Sequence, residues 1–370
     1  MPTKKPPIRF AVVGLGWFAQ SAVLPAFKKL KNAELSALVS GDEEKLAQLG
    51  KRHKVAQRVT YDGYDALLES GEVDAVYLVL PNTLHADYAI RAARAGVHVL
   101  CEKPMATSES ECMRMIEAAR ESNVKLMIGY RLHFEAANLA AMELARSGKL
   151  GELRFYDAVF AMPVEPGNSR LSAELGGGPL NDIGIYCINA ARYLFGDEPT
   201  EVYALAASKP GDTRFKEVPE QVTAVLRFPK QRTASFTASF GAVSIARYDL
   251  FGDKGRLRLD PAFNHTADLV LETEIGKRKT RRVFKERDQV AAEITAFAEH
   301  LQNGTETSPS GLEGLADVRI IAALNESLAS GRPVELAPLR PERRPSKRNE
   351  RRIAPHGEPE LIHAEEPRAR

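Results

Sequence analysis

The sequence predicts two domains of unlike class: an α/β domain built on a parallel sheet, then an α+β domain with a large, mainly antiparallel, open-faced sheet. Three observations carry this. The chain has 370 residues, about twice the usual span of one domain. Up to about residue 130, short apolar runs alternate with longer helical stretches, which implies βαβ units. Beyond about residue 150, strand-like runs follow one another with little helix between them, which implies antiparallel pairing. The expected division is 1–130, 131–335 and a charged tail at 336–370.

In the first domain, residues 8–13, 35–39, 75–80, 97–101 and 125–128 are apolar enough for strands buried on both faces, and 19–30, 43–52, 64–69, 86–95 and 108–122 have helical composition. In the second, strands are expected at 152–160, 201–207, 221–228, 233–240, 247–251, 256–260 and 269–272. Helices near 289–302 and 312–330 close that domain. The tail holds six prolines, nine Lys or Arg and six Asp or Glu with almost no apolar periodicity, so disorder is expected.

Charge separates these parts. The formal total is +2, but residues 1–335 carry −1 and the tail +3. A neutral body argues against nucleic-acid binding by the domains and suits a small neutral substrate. Within the tail, residues 340–352 hold seven positive and two negative charges, either a solvated run or a weak anionic contact. Cys101, Cys112 and Cys187 are too few and scattered for a disulfide framework or a Cys-x-x-Cys metal site, so a reducing compartment and no metal are expected. The start of the chain lacks a cleavage signal and no apolar stretch is long enough to span a bilayer, so the expectation is a soluble cytoplasmic protein.

The first strand runs into Gly14-Leu15-Gly16-Trp17-Phe18-Ala19 and a helix, the Gly-x-Gly-x-x-Ala pattern in the setting of a dinucleotide-binding Rossmann fold. Gly14 permits the tight turn, Gly16 lets a pyrophosphate approach the backbone, and Ala19 lets the helix lie close on the sheet. Trp17 and Phe18 complete the cofactor loop, with Trp17 either packing over the cofactor or partly exposed. The second strand ends in Leu38-Val39-Ser40-Gly41-Asp42-Glu43-Glu44-Lys45. NAD-specific sites place an acid where Ser40 stands, to grip the ribose 2′-hydroxyl. A hydroxyl beside Gly41 leaves room for a 2′-phosphate, and Lys45 is either its counter-charge or an ordinary solvated helix residue. NADP is therefore expected over NAD. Asp42 is the acid that a shift of one residue in the strand end would bring closer.

Three further phrases stand at element ends: Leu80-Pro81-Asn82-Thr83-Leu84-His85, Cys101-Glu102-Lys103-Pro104-Met105, and Asn181-Asp182-Ile183-Gly184-Ile185-Tyr186. With Met127-Ile128-Gly129-Tyr130-Arg131, they resemble the family of glucose-fructose oxidoreductase, inositol dehydrogenase and their relatives, over residues 8–335. The likeness is strongest to the glucose-fructose oxidoreductase branch, because many relatives carry His where this chain has Tyr186. The resemblance implies hydride transfer between nicotinamide C4 and a sugar or polyol carbon. Tyr186 is then the proton-transferring group, tuned and positioned by Lys103 and Asp182.

The residue types suit that chemistry. Hydride transfer at a carbinol carbon needs a proton moved at the same carbon. Lys103 lies at the carboxyl end of a parallel strand, where open α/β sheets bind ligands, and can hydrogen-bond the reacting oxygen. A nearby cation also lowers a phenol pKa from its ordinary value of about 10. Asp182 and Tyr186, four residues apart, share one helix face.

Leu80, Pro81 and Asn82 are expected to border the nicotinamide. His85 either joins them or begins a helix. Glu102 orients the Lys103 loop or binds cofactor ribose. Tyr130, Arg131 and His133 are candidates for sugar hydroxyls, Arg131 also for the cofactor. The run Gly176-Gly177-Gly178-Pro179 gives either backbone access to substrate or a flexible loop.

In the branch it resembles, an exported protein retains NADP with an N-terminal arm; here seven residues precede the first strand, so exchange of NADP(H) with solution is expected. The expected partners are a small sugar or polyol and a second copy of the chain, in a homodimer or homotetramer formed through the second-domain sheet. No membrane partner is expected. The alternatives are a sugar-ketone or dihydrodiol reductase and, outside catalysis, an NADP-sensing regulator.

Overall fold

Residues 5–337, 339, 344–364, 366 and 367 are described by a computed structural model and form two units. Met1 to Lys4, and Arg340 and Arg343 of the basic run, lie outside the described residues.

The first unit comprises Met1–Arg131, Asp288–Gly314 and Arg352–Glu366. Its strands β1 (Ile8–Val13), β2 (Ala33–Val39), β3 (Gln57–Val59), β4 (Ala75–Leu78), β5 (His98–Glu102) and β6 (Leu126–Gly129) pair in parallel in the order β3-β2-β1-β4-β5-β6. Val12, Val13, Leu38, Val76 and Leu78 are fully buried, as continuous apolar strands covered on both faces must be. β3 has no apolar signature because it is a three-residue edge strand with an exposed Gln57 and Arg58.

After β1 the chain is irregular: π-helical over Ala19–Val23, then α1 (Leu24–Ala26) and a 3₁₀ turn at Phe27–Lys29. Pro25 has no N–H to give, and just before it the ladder lengthens so that Leu24 N donates to Ala19 O. Helices α2 (Glu43–His53), α3 (Tyr64–Glu69), α4 (His85–Arg94) and α5 (Glu109–Glu121) carry the chain between parallel strands. Asp42 and Ser108 cap α2 and α5 by accepting from Lys45 N and Glu111 N. Winding reverses between β1 and β4, which opens a crevice at the carboxyl ends of the strands.

The second unit comprises Leu132–Arg287, Leu315–Arg351 and Pro367–Arg370. Helices α6 (Ala136–Arg146) and α7 (Ile185–Phe195) pack on a nine-stranded sheet. Its strands are β7 (Leu153–Ala161), β8 (Glu201–Ala207), β9 (Gln221–Phe228), β10 (Arg232–Ser239), β11 (Ile245–Gly252), β12 (Gly255–Leu259), β13 (Leu269–Ile275), β14 (Arg278–Phe284) and β15 (Val334–Glu335). They run in the order β14-β13-β12-β11-β7-β10-β9-β8-β15, antiparallel except where β10 meets β7. In β9, Val222, Ala224, Leu226 and Phe228 face the core while Thr223, Val225 and Arg227 face outward. The outer face is partly apolar: Phe155, Leu205 and Val225 are 45%, 60% and 45% exposed. Beneath the sheet, Arg192 is wholly buried and pairs with Glu198 and Asp317, each at 2.6 Å.

Two expectations need correction. Helix α8 (Gln289–Asn303) belongs to the first unit, packing on β1 and β2 with Phe297 edge-on to Phe10 at 6.1 Å, not to the second domain. Helical periodicity shows that a face is buried but not which sheet receives it. The tail, expected to be disordered, is anchored over its described residues. Arg146 donates to Pro345 O, Arg344 pairs with Glu198, and Ile362 is buried. These anchors are backbone carbonyls, ion pairs and one isoleucine, none of which produces a hydropathy period. Helix α9 (Gly311–Ser330) crosses the boundary between the units in sequence. Among the described residues, no helix is long and apolar enough to cross a membrane.

Candidate active site

The candidate cofactor residues collect at the carboxyl edge of the first sheet because each follows a parallel strand. Gly14 ends β1 with φ +92°, and a Cβ there would lie 2.3 Å from Val79 O, so only glycine lets the turn pass the end of β4. Gly16 has open space above it, leaving bare backbone where a diphosphate can settle. Trp17 and Phe18 are half-buried with rings 6.4 Å apart, and Ala19 is buried against the sheet.

At the end of β2, Ser40 is buried and its hydroxyl accepts from Asp42 N at 3.2 Å; Gly41 is exposed. Asp42 is committed to capping: Oδ1 accepts from Lys45 N at 2.9 Å and Oδ2 lies 3.9 Å from Lys45 Nζ. The Lys45 N–H, followed by the His363 imidazole, holds this carboxyl below its ordinary pKa. Asp42 therefore serves the helix. The edge as a whole fits a dinucleotide: bare backbone at Gly16, and Ser40 and Lys45 at the end of β2 and the start of α2.

After β4 come Leu80, Pro81 and the 3₁₀ turn Asn82–Leu84. His85 is fully buried, with Nδ1 2.9 Å from Pro104 O and Nε2 3.0 Å from Leu80 O. Burial lowers its pKa, so the neutral ring donates to one carbonyl at a time. It fastens the β4 loop to the Lys103 loop and offers no surface to a cofactor, which corrects its assignment as a ligand.

Glu102 ends β5; Oε1 accepts from Tyr77 OH at 2.7 Å and Oε2 from Lys103 N at 3.3 Å. Tyr77 OH also lies 2.9 Å from Glu293 Oε1 on α8. A phenol has one proton, so it donates to one carboxyl and must accept from the other. Burial and the Glu102 charge push Glu293 well above the ordinary carboxyl range. Burial raises Glu102 too, with Lys103 pulling it back. The shared proton therefore resides on Glu293, and Glu102 is oriented from behind. Lys103 is half-buried beside it. Beyond β6, Tyr130 and Arg131 are both buried, and Arg131 donates to the Gln289 side chain. Arg131 thus belongs to the buried carboxyl cluster.

In the second unit, the π-helical turn Leu180–Gly184 leads into α7. Asp182 accepts from Arg170 Nε at 2.7 Å. Asn181 Nδ2 donates to Gly176 O and Gly177 O at 3.0 and 3.1 Å, so the glycine run is pinned to the start of this helix. Tyr186 is half-buried, its ring centroid 5.7 Å from Phe160 and 5.9 Å from Phe263. Arg170 escaped the sequence reading because no motif spacing ties it to Asp182. His133 requires correction: it is buried, 3.2 Å from Asn189 Oδ1 and edge-on to Tyr193 at 4.5 Å. Burial lowers its pKa to about 3, so it is a neutral core residue.

Comparison with known proteins agrees with the two-domain fold. Residues 8–130 match the model of an oxidoreductase family with an NAD-binding Rossmann fold, and residues 138–258 match the GFO/IDH/MocA C-terminal domain. The chain is similar to the NADP(+) D-xylose 1-dehydrogenase of Haloarcula marismortui, at 33% identity over 89% of this chain and 93% of that protein. Aldose-aldose oxidoreductase from Caulobacter crescentus, solved with glycerol, is 37% identical with a TM-score of 0.85, covering 89% of this chain and all of that one. A 3-ketoreductase from Actinomadura kijaniata, solved with NADP and TDP-benzene, is 31% identical with a TM-score of 0.80, covering 87% and 98%.

Proposed function

The chain belongs to the GFO/IDH/MocA family of oxidoreductases, and from that premise we propose that it is an NADP-dependent sugar oxidoreductase. The bound nicotinamide would give or take hydride at a sugar or polyol carbon. The observation that carries the cofactor choice is the end of β2, where Ser40 replaces an acid and Asp42 is turned back to cap α2. Relatives named for NADP support it.

In the proposed mechanism Tyr186 moves the proton of the reacting hydroxyl. Asp182, held by Arg170, positions the helix-start groups around it. Lys103 donates a hydrogen bond to the reacting oxygen, and Glu102, braced by Tyr77, fixes the backbone that carries Lys103. Arg131, His85 and His133 act as structural groups.

Turnover of aldoses with NADP, and of keto sugars with NADPH, followed by the absorbance of reduced nicotinamide, tests this. Oxidation of an aldose with NADP preferred to NAD is expected. A ketoreductase would turn over only the second set, and absence of turnover in both would overturn the enzymatic reading.

We also propose that the outer sheet face pairs with a second copy. Phe155 stacks on Phe251 at 4.3 Å, and Leu205 and Val225 extend the apolar surface along β8 and β9. Light scattering is expected to give a dimer or tetramer; a monomer at micromolar concentration would refute it.

A further inference from the structure

Residues 351–361 form no helix or strand, yet the segment Arg352–Glu366 is fastened along the first unit. Ile353 O accepts from Asp288 N at 2.9 Å, Lys29 Nζ donates to Ala354 O and Pro355 O, and Arg52 pairs with Glu360 at 3.2 Å. The firmest attachment is Gln20, itself 2% exposed, in the helical segment after the glycine turn. Its amide donates to Ile362 O and accepts from Ile362 N, both at 2.8 Å, as a neighbouring strand would. Ile362 is buried there.

This anchoring sets His363 against the start of α2, in a left-handed conformation with φ +45°. Nδ1 lies 3.0 Å from Asp42 Oδ2 and Nε2 lies 3.3 Å from Glu44 Oε2. Asp42 and Glu44 attract a proton to the ring while Lys45 opposes it, and the two acids prevail, so the pKa is raised. Both acids follow Ser40 by a few residues, at the strand end that reads the ribose 2′ position.

We propose that His363 strengthens the preference for NADP over NAD: as an imidazolium it offsets one of the two negative charges of Asp42 and Glu44, which would otherwise repel a 2′-phosphate more strongly. The proposal rests on the reading of the first unit as an NADP site. Asp42 and Glu44 lie within one Debye length, about 8 Å at physiological salt, of the imidazole that partly offsets them. The strap therefore reinforces, through charge, the preference that Ser40 sets at the sheet edge.

The test is the ratio of Kd values for NADP and NAD in the full chain, read from the fluorescence of Trp17, the single tryptophan. His363→Gln is expected to weaken NADP by roughly two- to fivefold while NAD stays unchanged. His363→Lys, which keeps a cation, is expected to retain the wild-type ratio. Raising the pH from about 6.5 to about 8.5, where the 2′-phosphate stays largely dianionic, is expected to erode the wild-type ratio and to spare that of His363→Gln. A wild-type preference for NADP that His363→Gln leaves intact overturns the proposal alone. A wild-type chain that prefers NAD, or binds neither, overturns the cofactor reading and the proposal with it.

Discussion

Replacing Tyr186 with phenylalanine is expected to lower kcat by roughly 10²- to 10⁴-fold while the Kd for NADP stays within about twofold. The substitution removes one hydroxyl and keeps the ring, and the ring is what packs against Phe160 and Phe263. Half-buried Tyr186 sits just after a π-helical turn held by Asn181 and by the Arg170–Asp182 pair, and none of those contacts requires the phenol. Loss of turnover with NADP binding retained would place the phenol hydroxyl in the reaction. Steady-state kinetics with the best aldose, alongside NADP titration, checks this. An unchanged kcat would remove Tyr186 from the chemistry and reopen the nucleotide-sensing alternative.

Replacing Glu293 with glutamine is expected to stabilise the protein near pH 8 and to do so much less near pH 5. The sign follows from where the proton sits. An unfolded glutamate releases its proton near pH 4.3, whereas burial and the Glu102 charge keep Glu293 protonated in the folded chain well above that. Between those two values the folded state binds the extra proton, so stability is full below the unfolded pKa and falls as pH rises. Glutamine does not titrate and still donates to the Tyr77 oxygen, so it removes the penalty and keeps the bond. Thermal melts at the two pH values should show the variant's Tm raised mainly at the higher one. A rise of equal size at both would mean that Glu293 does not carry the proton.

Regular burial made most of the architecture legible. Strands at β1, β2, β4, β5 and β6 are apolar on both faces, and β9 alternates cleanly, so their sequences announce them. β3 and β14 are invisible for the opposite reason: edge strands need backbone pairing only, and Arg278-Lys279-Thr280-Arg281-Arg282 reads as solvated charge. Helix α6 was missed: its alanine-rich run lies between the last parallel strand and the strand-rich pattern that begins beyond about residue 150.

The glycine turn and Ser40 could be read from type and position because their function follows from small size. His85 and His133 were misread because residue type does not disclose burial. A histidine held between two carbonyls and one set against Asn189 look alike in sequence to one that meets a ligand. Arg170, Glu293 and His363 depend on contacts across the fold; the last two reach partners 216 and 321 residues away.

That separation bears on how the protein is made. Helix α8 lies on β1 and β2, so the side of Phe10 that meets Phe297 stays bare until a further 290 or so residues have left the ribosome. At roughly 5–20 residues per second that is a wait of about 15–60 s. The glutamine that grips Ile362 waits longer still, for a partner 342 residues further along. Until those residues emerge, the nascent N-terminal sheet is an incomplete body, sheltered or at hazard according to what the cell places over it.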